Sequence, residues 1–181
     1  MIDPLISTIV QYGFSMLFLT SAWHKLGDLQ RFILIIEDYQ LLTVLPSNFL
    51  AILLILIEFL IGTAWFFGYN LAIIGYCSIT LLSLYAGAIT INLLRGRIYI
   101  DCGCSFYNSS GGDSLLSPLL VFRNVILILL AALPILSSEN RSLVIFDYVI
   151  IFCSLLSIIS LYAGSTQLVK NRSAINSWRN K

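Results

Sequence analysis

The sequence predicts an all-α fold, a polytopic transmembrane helical bundle of about five spans with one amphipathic helix at the interface. Three observations predict it. Of 181 residues only ten are Lys or Arg and nine Asp or Glu, so 10% of the chain is charged and 59% is hydrophobic, against about 25% charged in a typical soluble domain. Mean hydropathy is +0.93. The scarce charges also leave long stretches empty: residues 4–24, 39–57, 59–94, 124–138 and 148–169 contain no Asp, Glu, Lys or Arg. A helix needs roughly 20 apolar residues to cross about 30 Å of hydrocarbon, and lipid leaves helices as the way to satisfy the backbone here. So few charges cannot clothe a soluble surface. The composition thus excludes an ordinary soluble enzyme, a disordered chain, and a nucleic-acid binder, which would need a basic patch.

The elements follow in order. The first span covers residues 5–23. It has no basic segment before its apolar run, so it reads as a retained helix rather than a cleaved signal. In residues 28–42, Leu29, Phe32, Ile33, Ile36 and Tyr39 recur at helical spacing while Arg31, Glu37, Asp38 and Gln40 interrupt them. That is an amphipathic helix with Asp28 as N-cap, expected to lie along the membrane interface and to end at Pro46. The second span covers 48–67. Gly68-Tyr69-Asn70 supplies the turn that divides the long apolar run, and the third span covers 71–94. Pro118 suits the first turn of a fourth span over 118–136, with Pro134 near its end. A fifth covers 144–164. Residues 1–165 therefore form one membrane domain, followed by a polar tail, 166–181. The pentapeptide Ser-Leu-Tyr-Ala-Gly occurs at 83–87 and 160–164; small residues that let helices pack closely explain it without an internal duplication.

Basic residues set an expected orientation. Lys25, Arg31, Arg95, Arg97, Lys170, Arg172, Arg179 and Lys181 fall on one side of a five-span chain and Arg141 on the other, with Arg123 left uncounted inside the fourth span. The positive-inside rule then places the amino terminus outside, and the tail and the third loop in the cytoplasm.

The third loop holds the sharpest chemistry. Cys102 and Cys104 flank Gly103 within Asp101-Cys-Gly-Cys104. Gly103 tolerates the dihedrals that so small a disulfide ring demands, and a strained accessible disulfide suits exchange. Arg95 and Arg97 favour a thiolate if the chain folds them near it, and Asp101 opposes one. Three readings compete: thiol–disulfide exchange, binding of a soft metal such as Cu(I), and a structural disulfide or inert thiols. A metal would lack an evident third ligand, because the sole His is His24 and the two Met are Met1 and Met16. Cys77 and Cys153 fall inside apolar spans and read as buried small hydrophobes, the alternative being a relay to the loop pair.

Other polar residues stand out against the apolar background. Glu58 sits mid-span, where a carboxylate is costly and often functional; it reads either as a proton carrier or as a neutral partner of Asn92 or Arg123. His24 and Lys25 end the first span, where cations favour the helix dipole, and His24 reads as interfacial rather than catalytic. Arg123-Asn124 opens the fourth span, to bind an anionic headgroup or to brace the cysteine loop. There is no Ser/His/Asp set, zinc pattern or phosphate-binding Gly loop, so hydrolases and nucleotide enzymes are poor candidates, and no metal site is assigned.

Several of these features together resemble the methylamine utilisation protein MauE family, which is related to the DoxX-like membrane proteins. They are His24-Lys25-Leu26 at the end of the first span, the amphipathic segment, Asn92-Leu-Leu-Arg-Gly-Arg97, Asp101-Cys-Gly-Cys104, and Arg123-Asn124 opening a hydrophobic helix. The likeness covers roughly residues 5 to 165. The family often carries Phe-Gly directly after the second Cys, where this chain has Ser105-Phe106. The resemblance implies an accessory protein of the bacterial inner membrane, serving maturation, processing or transport of the methylamine dehydrogenase β-subunit. That client is periplasmic and rich in disulfides, and a thioredoxin-like partner, MauD, belongs to the same system. A periplasmic client conflicts with the cytoplasmic loop that the charges predict. Two alternatives stand beside this reading. One is a quinone-coupled disulfide generator like DsbB or vitamin K epoxide reductase, with quinone as cofactor. The other is a non-catalytic scaffold or transporter with Glu58 lining a path.

Overall fold

A computed structural model describes residues 3–39, 45–95, 118–135, 145–147, 149–157 and 160. In chain order the helices are α1 (Pro4–Gly27), α2 (Leu29–Tyr39), α3 (Ser47–Phe67), α4 (Leu71–Leu94) and α5 (Pro118–Ala132), which runs into a 3-10 turn, Leu133–Ile135. A short apolar helix, α6 (Ile145–Ser157), follows. Among the described residues α1, α3 and α4 are long and apolar enough to cross a membrane, while α5 and α6 are apolar but shorter.

Local chemistry sets the ends. The Asp3 carboxylate accepts the Leu5 N–H at 2.9 Å and Pro4 occupies the first turn of α1, where its missing N–H costs nothing. Asp28 caps α2 as expected: its side chain accepts the Arg31 N–H at 3.4 Å and its carbonyl the Phe32 N–H at 3.1 Å. Pro46 precedes α3 as its N-cap residue. At the far end of α3, Gly68 adopts φ +65°. There the Tyr69 N–H reaches the Ala64 carbonyl and the Gly68 N–H reaches that of Trp65, a Schellman closure that needs a left-handed residue. Asn70, also left-handed, then caps α4 by accepting the Ile73 N–H. In α5 the α-helix ends at Ala132, two residues before Pro134. The proline ring removes a donor and crowds the preceding turn, so the chain tightens to a 3-10 turn instead of continuing as α-helix.

Two antiparallel pairs make the framework, α1 with α3 and α4 with α5. The Phe14 ring stacks on Trp65 at 5.4 Å, and both belong to a core shared with Phe18, Ile61, Ile74, Leu81, Leu82 and Ala131. Trp65 is fully buried, and its indole N–H donates to the Ser78 hydroxyl at 2.8 Å; this satisfies the one polar atom that the ring brings inside. Gly75 lets α4 meet α5 closely, since a Cβ there would lie 3.1 Å from the Ala131 carbonyl and 3.0 Å from Ile135. At the other end of the pair, Ile89 packs on Leu120 and Val121. The amphipathic α2 applies Phe32 to Ala22, Ala51 and Ile55 and so covers the junction of α1 and α3. The outer faces carry Ile52, Leu56, Phe59, Leu60, Phe66 and Phe67, all exposed. A surface of that kind fits lipid, not water.

Because α4 and α5 meet at backbone distance, Gly75→Val should weaken that contact. Overpacking costs about 1–3 kcal/mol, read as a lower unfolding temperature of the purified protein in mild detergent.

Candidate functional site

Inside the apolar bundle lies a compact polar cluster drawn from three helices. Lys25, in the last turn of α1, is 3% exposed, and Glu58, in the middle of α3, is 1% exposed. The Lys25 ammonium donates to Glu58 Oε1 at 2.5 Å. The Tyr85 hydroxyl of α4 donates to the same oxygen at 2.7 Å, and the Ser21 hydroxyl donates to Oε2 at 3.2 Å. Lys25 also lies 3.3 Å from the Tyr85 hydroxyl. Its ammonium sits 4.8 Å from the centre of the Phe32 ring and 4.9 Å from that of Tyr85, within cation–π range. The carboxylate therefore has three donors, and the ammonium has a counter-ion and two ring faces.

Helix periodicity places these groups. Ser21 and Lys25 are one turn apart on α1 and project together, so one face of α1 supplies two donors to α3. On α4, Ser78, Tyr85 and Asn92 recur every seven residues and share the inward stripe: Ser78 and Asn92 are fully buried, and Tyr85 is half-buried. The long Lys25 side chain reaches from the end of α1 into the bundle, and α2 closes over it through Phe32.

The partners of Glu58 differ from those expected. They are Lys25, Tyr85 and Ser21, not Asn92 or Arg123. The Asn92 amide instead donates to the Ala88 carbonyl of its own helix at 3.1 Å. Arg123 and Asn124 stand in the second turn of α5, Asn124 at 3% exposure. His24 is half-buried in the last turn of α1, and Arg95 is exposed at the C-cap of α4. Arg97, Asp101, Cys102, Gly103 and Cys104 lie outside the described residues. The two described cysteines are free and exposed, which corrects the expectation that they would be buried. The inward stripe of α4 takes Ile74, Gly75, Ser78, Leu81 and Leu82 and so turns Cys77 outward. Cys77 also stands roughly 26 Å along α4 from Leu94, at 1.5 Å per residue, near the end remote from the cysteine segment. Among the described residues no three His, Cys, Asp or Glu side chains gather as a metal site.

Sequence reasoning singled out Lys25 and Glu58 separately and missed Tyr85, Ser21 and Phe32. The seven-residue spacing of polar groups on α4 and the Ser21/Lys25 turn spacing were the available signals. The pair also makes a sharp prediction. Lys25→Met or Glu58→Leu alone strands a buried charge and should destabilise by about 3–5 kcal/mol, whereas the double substitution should recover most of that loss; chemical unfolding of the four proteins in detergent reads it directly.

Comparison with known proteins points to one family. The model of the family "Methylamine utilisation protein MauE" matches residues 3–137. The chain is 31% identical over 131 residues to methylamine utilization protein MauE of Paracoccus denitrificans, covering 72% of this chain and 69% of the relative. It is 31% identical over 129 residues to methylamine utilization protein MauE of Paracoccus versutus, covering 71% and 68%. No solved structure matches the chain. With three membrane-length apolar helices and a family match over most of its length, the chain is a membrane protein and belongs to the methylamine utilisation protein MauE family.

Proposed function

We propose that the protein is an accessory membrane protein of methylamine utilisation that works through thiol–disulfide exchange at Cys102 and Cys104, in the bacterial inner membrane. One observation carries the reading: the family match runs through residues 3–137 and so includes the Asp101-Cys-Gly-Cys104 segment. The fold supports it. α4 and α5 are antiparallel neighbours, so Leu94 and Pro118, which bracket that segment, stand at one end of the bundle. The client is a disulfide-rich exported protein such as the methylamine dehydrogenase β-subunit, and the redox partner a thioredoxin-like protein of the MauD type.

The exchange balances as follows. One thiolate of the reduced pair attacks a partner disulfide sulfur, giving a mixed disulfide and a partner thiolate. The second thiolate then attacks the chain's own sulfur in that bond. This closes Cys102–Cys104 and frees the second partner thiolate. Two electrons pass to the partner, and the two protons lost by the pair end on the partner thiols. Run in reverse, the same steps oxidise the partner.

Glu58 serves this chemistry as an anchor and not as a proton carrier. Its carboxylate is held by Lys25, Tyr85 and Ser21, and these bonds tie α4, which leads into the cysteine segment, to α1 and α3.

Cys102→Ser and Cys104→Ser, made in a chain whose Cys77 and Cys153 are already Ser, test the reading. One of the two should accumulate a mixed disulfide that alkylation traps in intact membranes and that reductant releases. If both variants mature the client normally, exchange at this pair is not the function. Side-specific thiol labelling of the same chains decides between the cytoplasmic face that the charges favour and the periplasmic face that the client requires.

A further inference from the structure

Four buried side-chain atoms have no hydrogen-bond partner among the described residues: Ser7 Oγ, Asn92 Oδ1, Arg123 Nε and Asn124 Nδ2. Three of them belong to the α4–α5 pair. An unpaired buried polar atom costs the full desolvation of that group, and more so in lipid, which offers no replacement. Three at one interface point to a missing ligand.

The register brings them close. Ile89 packs on Leu120 and Val121, while Gly75 meets Ala131 and Ile135, so α4 and α5 run antiparallel with Ile89 level with Leu120. Helical side chains tilt toward their own N-terminus. Arg123 and Asn124 therefore reach back along α5 toward Leu120, and Asn92, whose amide nitrogen is fixed on the Ala88 carbonyl, reaches back along α4 toward Ile89. With Ile89 level with Leu120, the Asn92 and Arg123 Cα atoms stand about 9 Å apart along the pair, a gap that the long Arg123 side chain and one oxyanion can close near the start of α5.

Charge says what the ligand is. Neither α4 nor α5 contains an Asp or Glu. Glu58 is taken by Lys25. Half-buried Arg123 thus brings a positive charge with no counter-ion among the described residues, on the positive side of the α5 dipole, where a cation is disfavoured. An anion corrects both defects. Arg123 Nε–H and Asn124 Nδ2–H would donate to its oxygens, and Asn92 Oδ1 requires a donor in return. We propose that Asn92, Arg123 and Asn124 form a binding site for a phosphate-type oxyanion that also carries a hydroxyl. Dihydrogen phosphate and the glycerol phosphate headgroup of an anionic lipid both have that chemistry. The site does not depend on the cysteine pair.

The full chain, purified in neutral detergent or in phosphatidylcholine nanodiscs, tests it by its unfolding temperature. Inorganic phosphate, or nanodiscs containing phosphatidylglycerol, should raise that temperature by roughly 5 °C near saturation. Sulfate at equal ionic strength, which has no hydroxyl proton, should raise it less. Arg123→Gln should abolish the response, Arg123→Lys should keep part of it, and Asn92→Ala should erase the preference for phosphate over sulfate. A response to phosphate alone identifies a free oxyanion, and one to phosphatidylglycerol alone a lipid; either supports the site. Absence of both responses in the unsubstituted chain overturns it, as does an unchanged response in Arg123→Gln. It is also overturned if Asp101→Asn or Asp113→Asn, without added anion, lowers the unfolding temperature as far as Arg123→Gln and the double substitution lowers it no further, because the counter-ion is then within the chain.

Discussion

A carboxylate in the middle of a membrane helix has to be answered by the rest of the protein, and the arrangement of this bundle follows from the answer to Glu58. Water is not at hand at that depth and lipid offers no donor. The donors must come from neighbouring helices, which fixes which faces those helices turn inward. α1 turns Ser21 and Lys25 toward α3, α4 turns Tyr85, and α2 lays Phe32 over the ammonium. Apolar packing alone would leave such helices free to rotate or slide, since lipid tails solvate Leu and Ile as well as a neighbouring helix does. A directional, charged contact removes that freedom.

The same logic separates the two halves of the bundle. The α1–α3 pair is held by the ion pair at one level and by the Phe14–Trp65 stack deeper in. The α4–α5 pair has close backbone approach at Gly75 and aliphatic packing at Ile89, but its polar atoms are left open at Asn92, Arg123 and Asn124. Tyr85 joins the halves. It lies on the α4 stripe that faces inward, and its hydroxyl ends on Glu58. The half whose buried charges are paired suits a fixed frame. The α4–α5 half adjoins Leu94 and Pro118, the ends that precede and follow Cys102 and Cys104 in the sequence.

Much of the fold was legible in the sequence because, in a membrane protein, charge spacing is a direct image of topology. The bounds of α1, α3 and α4 fell within a few residues of expectation, and Asp28, Pro46 and Gly68 punctuated the chain where their backbone chemistry requires. The resemblance drawn from His24-Lys25-Leu26, Asp101-Cys-Gly-Cys104 and Arg123-Asn124 also held. What could not be read was pairing across space. Lys25 looked like a residue anchoring a helix end at the interface, because its position along α1 is terminal; only the antiparallel register of α1 and α3 and the length of its side chain carry the charge down to Glu58. Cys77 looked buried because its span is apolar all round, and in such a helix hydrophobicity cannot tell the core face from the lipid face. The polar stripe of Ser78, Tyr85 and Asn92 does make that distinction.

The position of Lys25 has a consequence for how the chain enters the bilayer. Glu58, inserted by itself, opposes partition by roughly 3 kcal/mol near the centre of its span. α1 precedes α3 in synthesis, so its terminal lysine waits at the water boundary until α3 brings the carboxylate. The two helices are antiparallel and joined by the short α2, and they are best transferred together as a hairpin, in which the charges neutralise each other before they leave water. The electrostatic tie that holds the finished bundle thus also sets an order of assembly: α1 and α3 first, α2 over the joint, and then α4, whose Tyr85 meets a carboxylate already in place.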